Sequence, residues 1–237
     1  MNASLGVVML ETRFPRPPGD IGHPQTFAFP VRYRIVRGAS PRRVVVERDR
    51  TLLAPFIEAA RALEREGVTA VTTSCGFLAL FQREMAAALA VPVWTSSLLL
   101  VAEIEAGLRD GRRVGRRVGV VTVDAASLTA EHLRAVGART DTPIEGLALD
   151  SPFRATLLDD RAELDVDEAA LATVAAAERL VARHPEVAAV VLECTNLPPY
   201  ADAVRAATGL PVHDITTLVR ARLAGVATVA TVGNAAA

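Results

Sequence analysis

An internal repeat constrains this chain more than any other feature. Two apolar, β-branched runs, Val68 to Thr72 and Val187 to Leu192, each end shortly before a cysteine. Each cysteine opens a helical pattern that closes at an Xaa-Pro-Val step. Cys75 precedes Pro92 by 17 residues and Cys194 precedes Pro211 by 17, so Val91-Pro92-Val93 answers Leu210-Pro211-Val212. Upstream, Leu5-Gly6-Val7-Val8 answers Val118-Gly119-Val120-Val121, with the glycines 69 and 75 residues before their cysteines. The chain has two cysteines in all, and both fall at equivalent points of the repeat.

Short β-branched runs alternate with segments of helical period, the pattern of parallel sheets covered by helices. Strands are expected at Leu5 to Leu10, Tyr33 to Val36, Val68 to Thr72, Val91 to Thr95, Val118 to Val123, Glu145 to Leu149, Val187 to Leu192 and Leu210 to Val212. A helix over Thr51 to Arg65 gathers Leu52, Phe56, Ile57, Ala60 and Leu63 on one face. Another over Glu168 to Arg183 gathers Leu171, Val174, Ala175 and Val181. The expected fold is α/β, with two pseudo-symmetric doubly wound domains, parallel sheets and the site in the cleft between them. Residues 1–97 with 217–237 form the domain carrying Cys75, and residues 98–216 the domain carrying Cys194. The polar stretch from Glu105 to Arg117 reads as the crossing between halves, and Val226 to Ala237 as a last strand with a frayed tail.

At 237 residues and 51% apolar content the chain can bury sizeable cores. Its net charge of −1 and pI near 6.4 give no general attraction to nucleic acid or anionic membranes. No run approaches the roughly 18 apolar residues of a membrane span. The expected partner is a small carboxylate-bearing substrate, with no nucleic acid and no membrane, and the expected assembly a homodimer. The expected location is cytoplasmic, where thiols stay reduced. All 26 basic residues are arginine, which excludes a lysine Schiff base to pyridoxal phosphate and a Walker phosphate loop. His23, His132, His184 and His213 show no metal-ligand spacing with the cysteines, so neither metal nor cofactor is expected.

Both cysteines sit where a strand turns into a helix, Thr72-Thr73-Ser74-Cys75-Gly76-Phe77 in one copy and Glu193-Cys194-Thr195-Asn196-Leu197-Pro198-Pro199 in the other. Ligands of such sheets bind beyond the carboxyl ends of the strands. A thiol at a helix N-terminus is expected to have its pKa lowered toward neutrality, and the same amides bind a carboxylate. Two thiols facing across a cleft suit a two-base proton transfer. One removes a proton next to a carboxylate and the other delivers one to the opposite face. The hydroxyls of Ser74, Thr122 and Thr195 and the amide of Asn196 are placed to share charge on the carboxylate.

These motifs resemble the paired cysteine motifs of the aspartate/glutamate/hydantoin racemase superfamily, and the resemblance covers nearly the whole chain. It implies two pseudo-symmetric α/β domains and a cofactor-independent amino-acid racemase of the aspartate/glutamate type, an isomerase of amino acid metabolism. By the resemblance Cys75 and Cys194 are the acid/base pair, while Ser74, Gly76, Thr122, Thr195 and Asn196 bind substrate. Glu11-Thr12-Arg13 and Asn196 stand where glutamate racemases carry Asp-Ser-Gly and a histidine. Hydantoin racemisation, maleate-type cis/trans isomerisation and non-catalytic carboxylate binding are the alternatives.

The segment from Glu11 to Pro30 contains five prolines and Gly19-Asp20-Ile21-Gly22, which forbid regular structure. Following the first strand, it is expected to overhang the cleft. His213 and Asp214 are read as a helix cap or interdomain contact, or as a catalytic helper. Asp165-Val166-Asp167-Glu168 is read as the charged start of the following helix.

Overall fold

A computed structural model describes residues 3–110 and 115–234. The first half runs β1 (Leu5–Leu10), β2 (Val31–Val36), α1 (Leu53–Arg65), β3 (Ala70–Thr73), α2 (Gln82–Ala88) and β4 (Val93–Trp94). Helix α3 (Leu99–Asp110) leads to the second half. There follow β5 (Arg117–Thr122), α4 (Ala130–Ala135), β6 (Ile144–Gly146), α5 (Pro152–Leu158), α6 (Val166–Arg183), β7 (Val187–Leu192), α7 (Ala201–Thr208), β8 (Val212–His213) and α8 (Ile215–Asn234). The strands form two four-stranded parallel sheets of equivalent order, β2-β1-β3-β4 and β6-β5-β7-β8. This is the two-sheet α/β architecture expected from the repeat.

The repeat is visible atom by atom. The Xaa-Pro-Val steps form the edge strands, with Val71 N–H bonded to Pro92 O and Val190 N–H to Pro211 O, each at 2.9 Å. Gly6 and Gly119 are glycine because a covering helix crosses close to the sheet there. A Cβ on Gly6 would lie 3.1 Å from Leu63 of α1, and one on Gly119 would lie 2.7 Å from Leu180 of α6.

Helix α1 buries Phe56, Ala59, Ala60 and Leu63, in the expected phase, and Asp49 caps the turn before it by accepting from Thr51 N–H at 2.9 Å. Helix α6 ends where expected but starts at Val166 and has a different inward face. Ala169, Thr173, Ala176, Ala177 and Leu180 are buried, while Leu171 is 71% exposed. Small residues face the sheet because the helix passes so near Gly119. Asp165 caps this helix by accepting from the amides of Asp167 and Glu168.

Two further expectations are corrected. Glu105 to Asp110, in the stretch read as a polar crossing, is helical rather than a loop and ends α3, because its apolar side packs on the core. Residues 111–114, at the centre of that expected crossing, lie outside the described residues. Val226 onward is helical as far as Asn234 rather than a strand, and residues 235–237 lie outside the described residues. That last helix buries Ile215, Leu218, Val219 and Leu223 against Leu5, Val7, Ala70 and Trp94 of the first sheet. Among the described residues no helix is long and apolar enough to cross a membrane.

Candidate active site

Strands β3 and β7 each end two residues before a cysteine, and the segments that follow them carry both thiols to one place. Cys75 and Cys194 are free, 92% buried, and line the same cavity. Its other walls are mostly apolar, among them Leu10, Phe14, Phe77, Val123 and Leu157. The cavity measures about 20 Å³, which holds little more than one water. The two halves are closed upon it, and admitting a substrate requires them, or the loop above, to part.

That cover is the proline-rich segment, which has neither helix nor strand and contributes Phe14 and Arg16 to the cavity. It is fastened at several points. Arg13 bonds Asp160 of the second half, Ile21 N–H reaches Thr195 O at 3.4 Å, and Arg220 of α8 donates to Thr26 O at 2.9 Å. Asp20, 1% exposed, accepts from Arg16 Nη1 at 2.8 Å, Gly22 N at 2.7 Å and Asn196 Nδ2 at 2.6 Å.

Of the residues expected to bind substrate, Ser74, Gly76 and Asn196 line the cavity. Ser74 Oγ accepts from Leu10 N–H at 2.9 Å, and Asn196 Oδ1 accepts from Cys194 Sγ at 3.5 Å. Thr122 and Thr195 do not line it. The Thr122 hydroxyl donates to Glu193 Oε2 at 2.6 Å, and the Thr195 hydroxyl donates to Ser74 O at 2.6 Å. The pairing of β5 with β7 within the second half has consumed the first hydroxyl, and packing between the halves the second. His213 is half-buried and also absent from the cavity, whereas Asp214 caps α8 through the amides of Thr216 and Thr217.

Glu193, which supports the site without lining the cavity, carried no role in the sequence reading. It is fully buried next to Cys194, with Oε2 bonded to Thr122 and Oε1 without a hydrogen bond. A Cβ on Gly76 would come within 2.3 Å of both its Oε1 and its main-chain oxygen. Gly76 is therefore the notch that admits this carboxyl between the two cysteine segments. Burial lifts the Glu193 carboxyl to about 7, against the restraining bond from Thr122. The signal available in the sequence was one ionisable residue ending a wholly apolar strand. Arg16 and Asp20 gave no local signal at all.

The expected lowering of the thiol pKa values is also corrected. Burial pushes Cys75 up to about 12, with Glu193 adding to the rise, while the amides of Phe77 and Leu78 oppose it. Burial raises Cys194 well above the ordinary thiol value, and Glu193 adds again. At these buried positions, desolvation outweighs the amides at the turn.

No family model matches the chain. It is 33% identical over 231 residues to a dimethylsulfoniopropionate lyase of Durusdinium sp. clade D, covering 90% of this chain and 71% of that protein. It is 35% identical over 233 residues to dimethylsulfoniopropionate lyase 3 of Emiliania huxleyi, covering 93% of this chain and 59% of that protein. Among solved structures, a variant of arylmalonate decarboxylase superposes with a TM-score of 0.61 at 18% identity, covering 94% of this chain and 93% of that one. A glutamate racemase of Bacillus anthracis superposes with 0.57 at 15%, covering 94% and 81%. The fold is that of the aspartate/glutamate/hydantoin racemase superfamily. The expected activity is overturned: relatives at 33 and 35% identity over most of the chain are named as lyases, so the amino-acid racemase and isomerase readings fall. Racemase likeness, at 15% identity, extends to the fold alone.

Proposed function

Because the chain belongs to the family of the dimethylsulfoniopropionate lyases, we propose that it eliminates a dialkyl sulfide from a small β-sulfonium carboxylate, with Cys75 as the base. The observation that carries this reading is that two free thiols line one closed cavity. In the elimination, the Cys75 thiolate takes the proton on the carbon next to the carboxylate. The C–H electron pair becomes the new double bond, and the bond from the β-carbon to sulfur breaks with its pair left on sulfur. Dimethylsulfoniopropionate would thus give neutral dimethyl sulfide, acrylate and a proton now on Cys75. The leaving group needs no proton, so the two thiols need not play symmetric parts.

Their surroundings differ in the same sense. Two amides, of Phe77 and Leu78, favour a thiolate at Cys75, against one, of Asn196, at Cys194, which also donates its S–H to Asn196 Oδ1. Cys75 suits the base, and Cys194, whose S–H is given to Asn196 Oδ1, suits holding that amide beside the site. Ser74, Gly76 and Asn196 form the rest of the polar wall. Charge favours a sulfonium substrate in particular. A cation entering a cavity whose thiols are held protonated stabilises the thiolate, whereas a purely anionic substrate opposes it.

The test is to mix the purified protein with dimethylsulfoniopropionate and follow acrylate by proton NMR and dimethyl sulfide in the headspace. Equimolar release of both is expected. Absence of both products from the folded wild type would sink the reading.

A further inference from the structure

A substrate carboxylate drawn into this buried, mostly apolar cavity needs a charged or multiply donating partner, because burying an unpaired carboxylate costs many kcal/mol. The hydroxyls of Thr122 and Thr195 are committed elsewhere, and one Asn196 N–H goes to Asp20. Among the described residues, Arg16 is the one basic side chain lining the cavity.

Its setting is that of a built receptor. The Arg16 side chain is 11% exposed, its guanidinium lies 4.7 Å from the centre of the Phe14 ring, and Nη1 and Nη2 each make one bond, to Asp20 and to Thr12 Oγ1. A guanidinium carries five N–H donors, so several remain for an anion in the planar arrangement that suits a carboxylate. Asp20 also accepts from Asn196, two residues beyond Cys194, and Asn196 in turn accepts from the Cys194 thiol. The chain Arg16–Asp20–Asn196–Cys194 thus fixes the guanidinium relative to the thiols.

We propose that Arg16 receives the substrate carboxylate and that Asp20 and Asn196 set its distance from the two cysteines. This deepens the lyase reading, on which it rests, by naming the anion subsite and placing it on the proline-rich cover. The cover then carries part of the site, so closing it completes substrate binding.

Propionate tests this without any turnover, since it has the carboxylate but no leaving group, and propionamide is its uncharged control. Binding of each is measured by calorimetry to wild type, Arg16→Gln and Arg16→Lys, with folding checked by circular dichroism. Wild type is expected to prefer propionate. Arg16→Gln is expected to weaken propionate by about tenfold or more, corresponding to about 1.4 kcal/mol, and to leave propionamide unchanged. Arg16→Lys is expected to fall between, and it carries the comparison should the glutamine variant not fold. Equal propionate affinity in wild type and variant, or no preference of wild type for propionate, overturns the assignment. The lyase reading stands or falls separately on acrylate release.

Discussion

The Thr195 hydroxyl donates to the Ser74 carbonyl at 2.6 Å, so the residue after one cysteine is bonded to the residue before the other. This buried bond links positions separated by 121 residues and sets the spacing of the two cysteine segments. Replacing Thr195 by valine keeps the shape and strands the carbonyl. A loss of about 1–3 kcal/mol in chemical denaturation is expected, together with a lower kcat as the thiols lose registry. An unchanged kcat in a destabilised variant would confine this bond to stability.

The two cysteines are expected to be unequal in the proposed elimination. Cys75→Ala removes the base, and a fall in acrylate release of about 10²–10⁴-fold is expected. Cys194→Ser keeps a donor near Asn196 and is expected to lose less. Solvent deuterium entering the carbon next to the carboxylate gives an independent reading. Any exchange seen with wild type should vanish in Cys75→Ala and survive in Cys194→Ser.

Glu193 predicts a pH dependence with a definite sign. Its carboxyl is lifted from an ordinary 4.5 to about 7, so the folded state holds a proton the unfolded chain releases. That contribution to stability is full below about pH 4.5 and is lost as pH rises through about 7. Glu193→Gln cannot ionise. Urea denaturation across that window should show a shallower decline for the variant than for wild type. Removing the negative charge also removes part of what raises both thiols. With a thiol base the rate of the proposed elimination is expected to rise toward alkaline pH, and in Glu193→Gln that rise should move to lower pH.

Gly76→Ala probes the notch. Its Cβ would meet the Glu193 main-chain oxygen at 2.3 Å, an atom of the sheet edge that cannot swing away. A loss of about 1–3 kcal/mol or more is expected from overpacking, measured by chemical denaturation. A stability equal to wild type would mean that the two segments can separate at little cost.

The sequence by itself determined the architecture and the pairing of the cysteines. Strand and helix periods are local, and matched spacings such as Cys75 to Pro92 and Cys194 to Pro211 repeat within each half, so both are legible along the chain. Even the repeated glycines Gly6 and Gly119 proved to mark close helix crossings. Tertiary structure alone decided the environment of the thiols. Burial depends on how tightly two halves close, and it turned an expected lowering of the cysteine pKa values into a rise. Only packing could spend Thr122 on Glu193 and Thr195 on Ser74, and bring Arg16 and Asp20 from an irregular loop to the side of Asn196. Those contacts span between 71 and 176 residues. No local period encodes them, because Thr122 meets Glu193 only once β5 and β7 pair, and the others form only once the two sheets and the loop between β1 and β2 have been brought together.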